Sequence, residues 1–215
     1  EENKLIYITG PMTGTRALSS GRYMVVTKSP LTGMIGCSNS GGVWGAKLKC
    51  AGWDAIIVEG KAPEWSYINI VDDKIEILPA ADYVGKMSEE VDEKLKEAHP
   101  GCRVLNIGPA GENLSMLAAI MNDKDRAAGR GGCGAVMGSK LLKAITVTST
   151  ANAIDGTDEA ALKETNKKCL GMIKENGVTG GGLPTYGTAV LVNIINNTGS
   201  FPTKNWQESY YEKAD

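Results

Sequence analysis

The stretch from Asn122 to Gly138 combines charged side chains and backbone groups in a way that suits phosphate binding. Its sequence is NDKDRAAGRGGCGAVMG, in which Arg126 and Arg130 flank a small-residue turn, and a helix is predicted to open at Ala135. Glycine lets the backbone approach a ligand closely and present consecutive N–H groups. A helix start adds unpaired donors and a partial positive charge, and guanidinium groups bind phosphate as forked donors. A glycine loop that merely turns the chain explains the same residues without a ligand.

A second segment, Asn39 to Lys49, repeats this layout with a paired glycine before a short helix that ends in lysines. An apolar run that ends in Gly-Pro precedes both segments, and Gly10 and Gly108 of these pairs are 98 residues apart (108 − 10). The paired glycines that begin at Gly41 and Gly131 are 90 residues apart (131 − 41). Two matching offsets in the same order indicate a duplicated unit. Two such helix starts, facing each other across a pseudo-twofold, would hold a ligand with two anionic groups.

Arg22 belongs to the same hypothesis. It stands at the start of a predicted strand, where its side chain can reach towards Asn39 and the first glycine pair. A solvated surface arginine is the alternative interpretation of the same position.

The elements that must position these residues are predicted as short strands and helices joined by Gly- and Pro-containing turns. Strands are expected at 4–9, 23–27, 55–59, 66–71, 74–78, 103–107 and 144–148, and helices at 42–50 and 87–98, the latter exposed and amphipathic. Residues 114–121 fit a strand or a buried helix. The fold class predicted for residues 1–150 is therefore α+β, with mixed and antiparallel sheets and two repeats at about 1–80 and 100–150, related by a pseudo-twofold.

Residues 151–215 show helical rather than strand patterns, and they are predicted to begin a following helical domain that is truncated. A helix from Thr157 to Asn176, capped by Thr157, and an apolar helix from Thr185 to Asn196 are expected there. Because the chain has no initiator Met, we expect it to start inside a longer protein.

Composition excludes several function classes. The net charge of −2 gives no electrostatic footprint for nucleic acid, and no apolar run reaches the ~20 residues of a membrane span. None of the five cysteines pairs as Cys-x-x-Cys, which argues against a zinc knuckle or an iron–sulfur site and favours thiols in a reducing cytoplasm. The single histidine, His99, lies at an apparent helix end, where a capping or exposed role is expected.

Seven runs closely resemble the tungsten-containing aldehyde:ferredoxin oxidoreductases, and together they span nearly the whole chain. They are GPMTGT at 10–15, GRY at 21–23, TKSPLTG at 27–33, NSGG at 39–42, IGPAGENL at 107–114, the block from Arg126 to Gly138, and GGLPTYGTAVL at 181–191. The resemblance implies the N-terminal domain of such an enzyme, without its beginning, followed by the opening of the next domain.

By this resemblance the domain carries a bis-molybdopterin tungsten cofactor, with molybdenum as the alternative metal. The positions that match the cofactor contacts of the family are Arg22, Asn39, Gly41, Arg126, Ala127, Gly129 and Arg130. Main-chain carbonyls of Asn39 and Ala127 are where a magnesium ion that bridges the two pterin phosphates is expected, and magnesium prefers such hard oxygen ligands.

The family implies two-electron oxidation of an aldehyde substrate to a carboxylic acid in the cytoplasm, with electrons passed through a [4Fe-4S] cluster to ferredoxin. The cluster ligands and the acid/base residues of the family match nothing in this sequence, so no catalytic residue is assigned. The isolated chain is expected to be inactive, the cluster to exist only in the full-length protein, and a homodimer to be compatible with that protein. Neither nucleic acid nor a membrane is expected as a partner.

Two other functions fit part of the sequence. Gly129, Gly131 and Gly134 satisfy Gly-x-Gly-x-x-Gly, with Asp155 about twenty residues further on, as in a nicotinamide-dinucleotide site. That fingerprint needs a buried strand directly before its first glycine, and the residues from Asp123 to Arg126 are too charged for one. A non-catalytic scaffold or interaction module of the same fold is favoured by the lone histidine and the absent cysteine ligands. The bound cofactor and the length of the native gene product discriminate these readings.

Overall fold

The structure is a computed structural model that describes residues 2–156 and 158–214, and the chain divides into two compact units at residues 157/158. Over residues 2–156 the first unit contains ten strands: β1 Leu5–Thr9, β2 Tyr23–Lys28, β3 Ile35–Ser40, β4 Ala55–Val58, β5 Ser66–Val71, β6 Lys74–Pro79, β7 Arg103–Asn106, β8 Ile120–Asn122, β9 Arg126–Ala128 and β10 Leu142–Thr148. Its helices are α1 Trp44–Cys50, α2 Ser88–Ala98, α3 Pro109–Glu112 and α4 Cys133–Ser139, with a 3₁₀ turn at Ala81–Tyr83.

The first unit is built from two copies of one motif. The first sheet has the order β3-β2-β1-β4, and the second has the order β6-β5-β10-β7-β8-β9. Within the second sheet, β9-β8-β7-β10 reproduces the order of the first sheet, and every neighbouring pair of strands in both motifs is antiparallel. A seven-residue helix, α1 or α4, joins the third and fourth strands of each motif. The prediction of an α+β fold with a duplicated unit is therefore confirmed.

Strand register gives the correspondence between the repeats residue by residue. The equivalent rows across the two sheets are Ile8–Met24–Asn39 and Asn106–Met121–Ala127. Asn39 and Ala127 thus occupy the same position on the outermost strand of each motif, and they are 88 residues apart (127 − 39). The offset of 90 between the glycine pairs is larger by two, because Gly41 directly follows β3, whereas Gly129 and Arg130 lie between β9 and Gly131.

The hairpin β5–β6 joins the second sheet although it lies within the first 80 residues, because β5 pairs in parallel with β10. Helix α2 follows this hairpin and packs against the second sheet through Val91 and Leu95, which cluster with Val104. The helix is therefore half-buried rather than exposed, since its few apolar residues recur at helical spacing on one face.

The main core lies between the inner faces of the two sheets, where α1 and α4 are enclosed. Trp44 at the start of α1 is completely buried, with its ring 5.8 Å from that of Tyr7 and 4.9 Å from that of Tyr23. Its indole N–H donates a hydrogen bond of 3.2 Å to the carbonyl of Ile145 in the second sheet. This one side chain therefore connects both repeats.

The second unit contains α5 Glu159–Glu175, α6 Leu183–Tyr186 and α7 Val192–Asn197, with a π-helical turn at Gly177–Gly182 and a 3₁₀ turn at Gly187–Leu191. Asp158 caps α5 by accepting from the backbone N–H of Ala161, whereas the predicted cap, Thr157, lies outside the described residues. The prediction of a single helix at 185–196 is wrong, because Gly187 adopts a φ of 60° and interrupts the helix. Among the described residues, no helix combines the length and the apolar content that crossing a membrane requires.

Candidate functional site

The predicted site residues lie on or beside two neighbouring edge strands, β3 and β9. The backbone N–H of Arg130, just beyond β9, donates to Ser38 Oγ in β3 at 3.0 Å. Neither strand was predicted, and the small-residue turn expected around Arg126 is in fact a strand. Both strands consist mainly of small or polar residues without a buried apolar alternation, so their period of two is invisible in the sequence.

Arg22, Asn39 and Gly41 form one group on the first repeat. Arg22 immediately precedes β2, and its Nε donates a hydrogen bond to Asn39 Oδ1, with both side chains exposed. A Cβ on Gly41 would lie 3.5 Å from the Arg22 guanidinium, an ordinary van der Waals contact. The first repeat therefore presents a cation, an amide and an accessible stretch of backbone at one place.

Arg126, Ala127, Gly129 and Arg130 form the corresponding group on the second repeat, and all four are exposed. Arg126 lies 3.6 Å from the carboxylate of its neighbour Asp125, with its side chain 57% exposed. Within residues 2–156 and 158–214, the guanidinium of Arg130 has no hydrogen bond or ion pair. A Cβ on Gly129 would meet nothing within 4 Å, so open space borders the backbone there.

The two groups adjoin each other across the boundary between the repeats. A Cβ placed on Gly42 would lie only 3.1 Å from Cγ of Arg126, so the stem of this arginine rests against the turn that follows β3. The structure thus brings residues from both repeats into one exposed region along the paired edges of the sheets.

The helix starts themselves are not open to a ligand, which corrects the sequence interpretation. At α1, the backbone N–H groups of Val43 and Trp44 donate to Asp123 Oδ2, at 2.6 and 3.1 Å. Helix α4 begins at Cys133 rather than Ala135, and its start is buried. The N–H of Gly134 donates to the carbonyl of Ala118 at 3.0 Å. If a phosphate binds here, its donors would therefore be the exposed guanidinium groups and the strand edges.

Each helix start is instead covered by a hairpin of the other repeat. The turn between β8 and β9 covers the start of α1 through Asp123. The loop between β2 and β3 lies against the start of α4, because a Cβ on Gly132 would lie 3.1 Å from Pro30 Cγ and one on Gly131 would lie 3.6 Å from Ser29 Oγ. The second glycine of each pair has no room for a side chain: a Cβ on Gly42 would overlap Asp123 of the other repeat, and one on Gly132 would overlap the carbonyl of Met116.

Side chains do not form a metal cage in the part of the chain that the structure describes: no three His, Cys, Asp or Glu residues come together there. Cys133 is buried beside the carboxyl end of β9 and donates to the carbonyl of Ala128 at 3.1 Å, and burial raises the pKa of its thiol. His99 lies at the C-terminal cap of α2 with its Nε2 2.9 Å from the hydroxyl of Tyr67. A cation at the site would accordingly need main-chain or ligand oxygens.

A nicotinamide-dinucleotide site does not fit this geometry. A strand does precede Gly129, but β9 is a three-residue antiparallel strand at the edge of its sheet with its first two residues exposed, so the buried strand that the fingerprint needs is absent there, as the charged sequence indicated. The dinucleotide fold needs a buried parallel strand whose following helix start faces the pyrophosphate. Here the following helix start is buried against the chain around Ala118.

Comparison with known proteins gives a consistent result over the whole chain. The family model described as "Aldehyde ferredoxin oxidoreductase, N-terminal domain" matches residues 1–149, and that of "domains 2 & 3" of the same enzyme matches residues 164–215. A tungsten-containing aldehyde ferredoxin oxidoreductase of Pyrococcus abyssi is 53% identical over 99% of this chain, and one of Pyrococcus furiosus is 52% identical over the same share. The chain spans 35% of the length of each of these relatives.

A solved structure with 39% sequence identity shares the fold. It is the active-site complex BamBC of benzoyl coenzyme A reductase with 1,5-dienoyl-CoA, which aligns with a TM-score of 0.76 and 39% sequence identity. The alignment covers 80% of this chain and 26% of the other.

Proposed function

Because the chain belongs to the aldehyde ferredoxin oxidoreductase family, we propose that it is the cofactor-binding part of a tungsten-containing enzyme that oxidises aldehydes to carboxylic acids. The cofactor in this proposal is a bis-molybdopterin complex of tungsten, or alternatively of molybdenum. The curated relatives named above are described as tungsten-containing.

The observation that carries the proposal is the equivalence of Asn39 and Ala127. They occupy the same register on adjacent edge strands of the two repeats, and both are exposed. A ligand with two similar halves, each ending in a phosphate, matches a protein surface built from two similar halves. Gly41 and Gly129 each lie two residues further along the chain, which extends the equivalence beyond the strands.

The residues present fit such a group by charge and by space. Arg22, Arg126 and Arg130 supply three exposed guanidinium groups, which bind phosphate oxygens as paired donors. Asp125 is the carboxylate paired with Arg126, and with 75% of its side chain exposed it is free to turn into solvent. The backbone at Gly129 borders open space that any side chain would fill.

We assign each residue a binding role rather than a catalytic one. The three arginines hold phosphates, and Gly41 and Gly129 let the ligand approach the backbone. The carbonyls of Asn39 and Ala127 would hold a magnesium ion that helps to neutralise the phosphates, consistent with the preference of magnesium for hard oxygen ligands. No catalytic residue is assigned within this chain.

The bound cofactor would supply the two-electron oxidation, in which an aldehyde and water give a carboxylic acid. In the proposal, electrons leave through a [4Fe-4S] cluster held elsewhere in the full-length protein and reach ferredoxin, in the cytoplasm. A homodimer of the full-length protein is compatible with it. The shared fold of the benzoyl coenzyme A reductase complex supports a cradle that serves different substrates, so specificity for the aldehyde is assigned to the rest of the polypeptide.

The test removes two phosphate-binding charges from the full-length enzyme. Arg126→Ala combined with Arg130→Ala is expected to abolish cofactor retention, measured as tungsten and pterin per chain after purification. Arg16→Ala is the matched control, since Arg16 is an exposed arginine of the same unit that pairs with Asp155. Normal tungsten content in the double variant would contradict the assignment, and bound NAD in place of a pterin would overturn the function.

A further inference from the structure

The turn that follows β8 joins the two groups of site residues. Asp123 Oδ2 accepts from the backbone N–H groups of Val43 and Trp44 and from Asn122 Nδ2, the last at 3.0 Å. Only 11% of the Asp123 side chain is exposed. A carboxylate at a helix N-terminus is favoured by the unpaired donors and by the helix dipole, so this cap is strong. The capping residue belongs to the second repeat, whereas α1 belongs to the first.

Asn122, the last residue of β8, extends the connection into the first repeat. Its side chain is buried, and its Oδ1 accepts from the hydroxyls of Tyr23 and Ser40 at 2.8 and 2.7 Å. Its Nδ2 donates to the carbonyl of Gly41 at 3.0 Å. Tyr23 and Ser40 directly follow Arg22 and Asn39 in the sequence, so the positions of both candidate cofactor contacts depend on this network.

Gly42 shows how tightly the two repeats meet. Its φ of 85° favours glycine, and a Cβ there would overlap Asp123 Oδ2 and lie 2.7 Å from Asn122 Nδ2. Arg126, three residues after Asp123, packs against the same glycine from the second repeat. The spacing between the two groups of site residues is therefore set where the carboxylate of Asp123 meets the start of α1.

We propose that Asp123 is a positioning residue for the cofactor: it fixes the first-repeat group (Arg22, Asn39, Gly41) relative to the second-repeat group (Arg126, Ala127, Gly129, Arg130) without touching the ligand. This inference rests on the proposed function of the site. A ligand that bridges two phosphate-binding groups is sensitive to their separation, because a small misplacement of either group loses one end of the contact.

The carboxylate suits this role electrostatically as well as geometrically. Oδ1 of Asp123 is buried without a hydrogen bond, and the nearest cation is Arg103 at 3.9 Å. Its charge is compensated mainly by the start of α1, so removing it leaves two helix N–H groups unpaired and frees α1 to shift. The contact is thus made within the protein and does not require a ligand to form.

The experiment compares Asp123→Ala with Asp72→Ala in the full-length enzyme. Asp72 is a matched control because it also lies in a hairpin turn with a positive φ, 51°, and its Oδ1 accepts a backbone hydrogen bond, from Thr150 at 3.0 Å. It belongs to the β5–β6 turn, outside the proposed site. Both variants are expected to melt at a lower temperature than the wild type. Only Asp123→Ala is expected to lose tungsten and pterin, by about tenfold per chain.

A conservative variant separates positioning from general destabilisation. Asp123→Asn keeps an acceptor oxygen in place and tolerates the positive φ of 49°, but it lacks the charge. We expect it to fold with a melting temperature near that of the wild type and to release tungsten about threefold faster on dialysis. This variant decides the question if Asp123→Ala yields no folded protein.

The outcomes distinguish the inference from the proposed function. Wild-type enzyme without any metallopterin would refute the function itself. If the wild type carries the cofactor, wild-type retention in Asp123→Ala, or in Asp123→Asn when only that variant folds, would overturn the positioning role. Equal loss in the Asp72 and Asp123 alanine variants would also overturn it, since the effect would then be general instability.

Discussion

Lys143 is a completely buried ammonium group in the interior of the second repeat. Its Nζ donates to the carbonyls of Ile107 and Lys86, at 2.6 and 3.3 Å, and to the carboxylate of Glu112. The other oxygen of Glu112 accepts from the backbone N–H of Gly85 at 2.8 Å. Burial lowers the pKa of Lys143, and the hydrogen bond that its ammonium donates to Glu112 partly opposes that shift. The pair therefore fastens β10 to α3 and to the chain that leads into α2.

Removing the carboxylate of Glu112 tests how much stability the buried Lys143 gains from its counter-charge. Glu112→Gln leaves the Lys143 ammonium buried without a counter-charge, and the free energy of unfolding is expected to fall by about 3 kcal/mol near neutral pH. The pKa of Lys143 should then fall further. In the unfolded chain Lys143 has its ordinary pKa of 10.5 and binds its proton more tightly than in the folded state. The free energy of unfolding should therefore recover as pH rises towards 10.5, where the folded state no longer has to bury the charge.

Urea unfolding of the chain at a series of pH values measures this effect. Glu59→Gln is the control, because Glu59 forms an exposed ion pair with Lys4 and its loss should change stability little. An equal, pH-independent loss in both variants would contradict the account of the buried pair.

Helices α3 and α4 approach each other through glycines rather than through large side chains. A Cβ on Gly138 of α4 would overlap the carbonyl of Gly111 in α3, and a Cβ on Gly111 would lie 3.0 Å from the carbonyl of Gly134. Small residues let the two backbones touch, and this contact positions α3, which ends at Glu112. The glycine excess of the sequence is thus partly a packing requirement.

We expect Gly138→Ala to lower the free energy of unfolding by about 2 kcal/mol, although alanine is the better helix former, because overpacking outweighs propensity. Gly171→Ala in α5 is the matched control. A Cβ there meets nothing within 4 Å, so that variant should be neutral or stabilised by about 0.5 kcal/mol. Thermal unfolding of both variants makes the comparison, and a Gly138→Ala protein as stable as the wild type would disprove the contact.

The elements that could be predicted from the sequence are those with a periodic apolar pattern or with Gly and Pro residues at their ends. The strands β1, β2, β5 and β6 and the helix α2 were predicted within about two residues at each end, because apolar residues recur in their sequences at the period of the element, even in β6, where they are mostly exposed. β3 and β9 were missed, since they gain their place from neighbouring strands rather than from their own composition. The stretch 114–121 was ambiguous for a different reason, since it is a short apolar run, and only Ile120 and Met121 of it belong to β8.

The site followed a similar division. Family resemblance singled out the seven candidate residues, and the structure gathers them along two edges, but sequence reasoning placed the phosphate donors at the helix starts. That error came from Asp123, whose carboxylate occupies the start of α1 from 80 residues away (123 − 43). No local sequence pattern predicts a helix cap that is supplied by another repeat. The Asn-Asp pair before the β8–β9 turn is the one local signal of polar side chains that could cap a distant helix.

In the first unit as a whole, duplication provides two similar groups of binding residues, one for each half of the proposed ligand. Each motif contributes one edge strand, and each motif's hairpin covers the other's helix start, so neither repeat is complete by itself. The buried Trp44 and the Asn122 network add contacts that only the pair can form. A rigid cradle therefore results from ordinary packing between two copies of a small motif.

The positions of the cysteines in the 215-residue chain predict that it does not bind an iron–sulfur cluster by itself. An iron–sulfur cluster of the [4Fe-4S] type needs four thiolates converging on one point. Cys102 and Cys133 are buried, and burial raises the pKa of the Cys102 thiol to about 11. Burial also raises the pKa of Cys50, and no three metal-ligating side chains meet within the described ranges.

We therefore expect the isolated chain to remain colourless after anaerobic incubation with iron and sulfide, with no bound iron by elemental analysis and no aldehyde oxidation. The full-length protein treated in the same way is the positive control and should acquire the visible absorbance of a cluster. A brown isolated chain with about four iron atoms per molecule would contradict the prediction. It would mean that the cysteines rearrange, and that electron transfer begins within this part of the enzyme rather than beyond it.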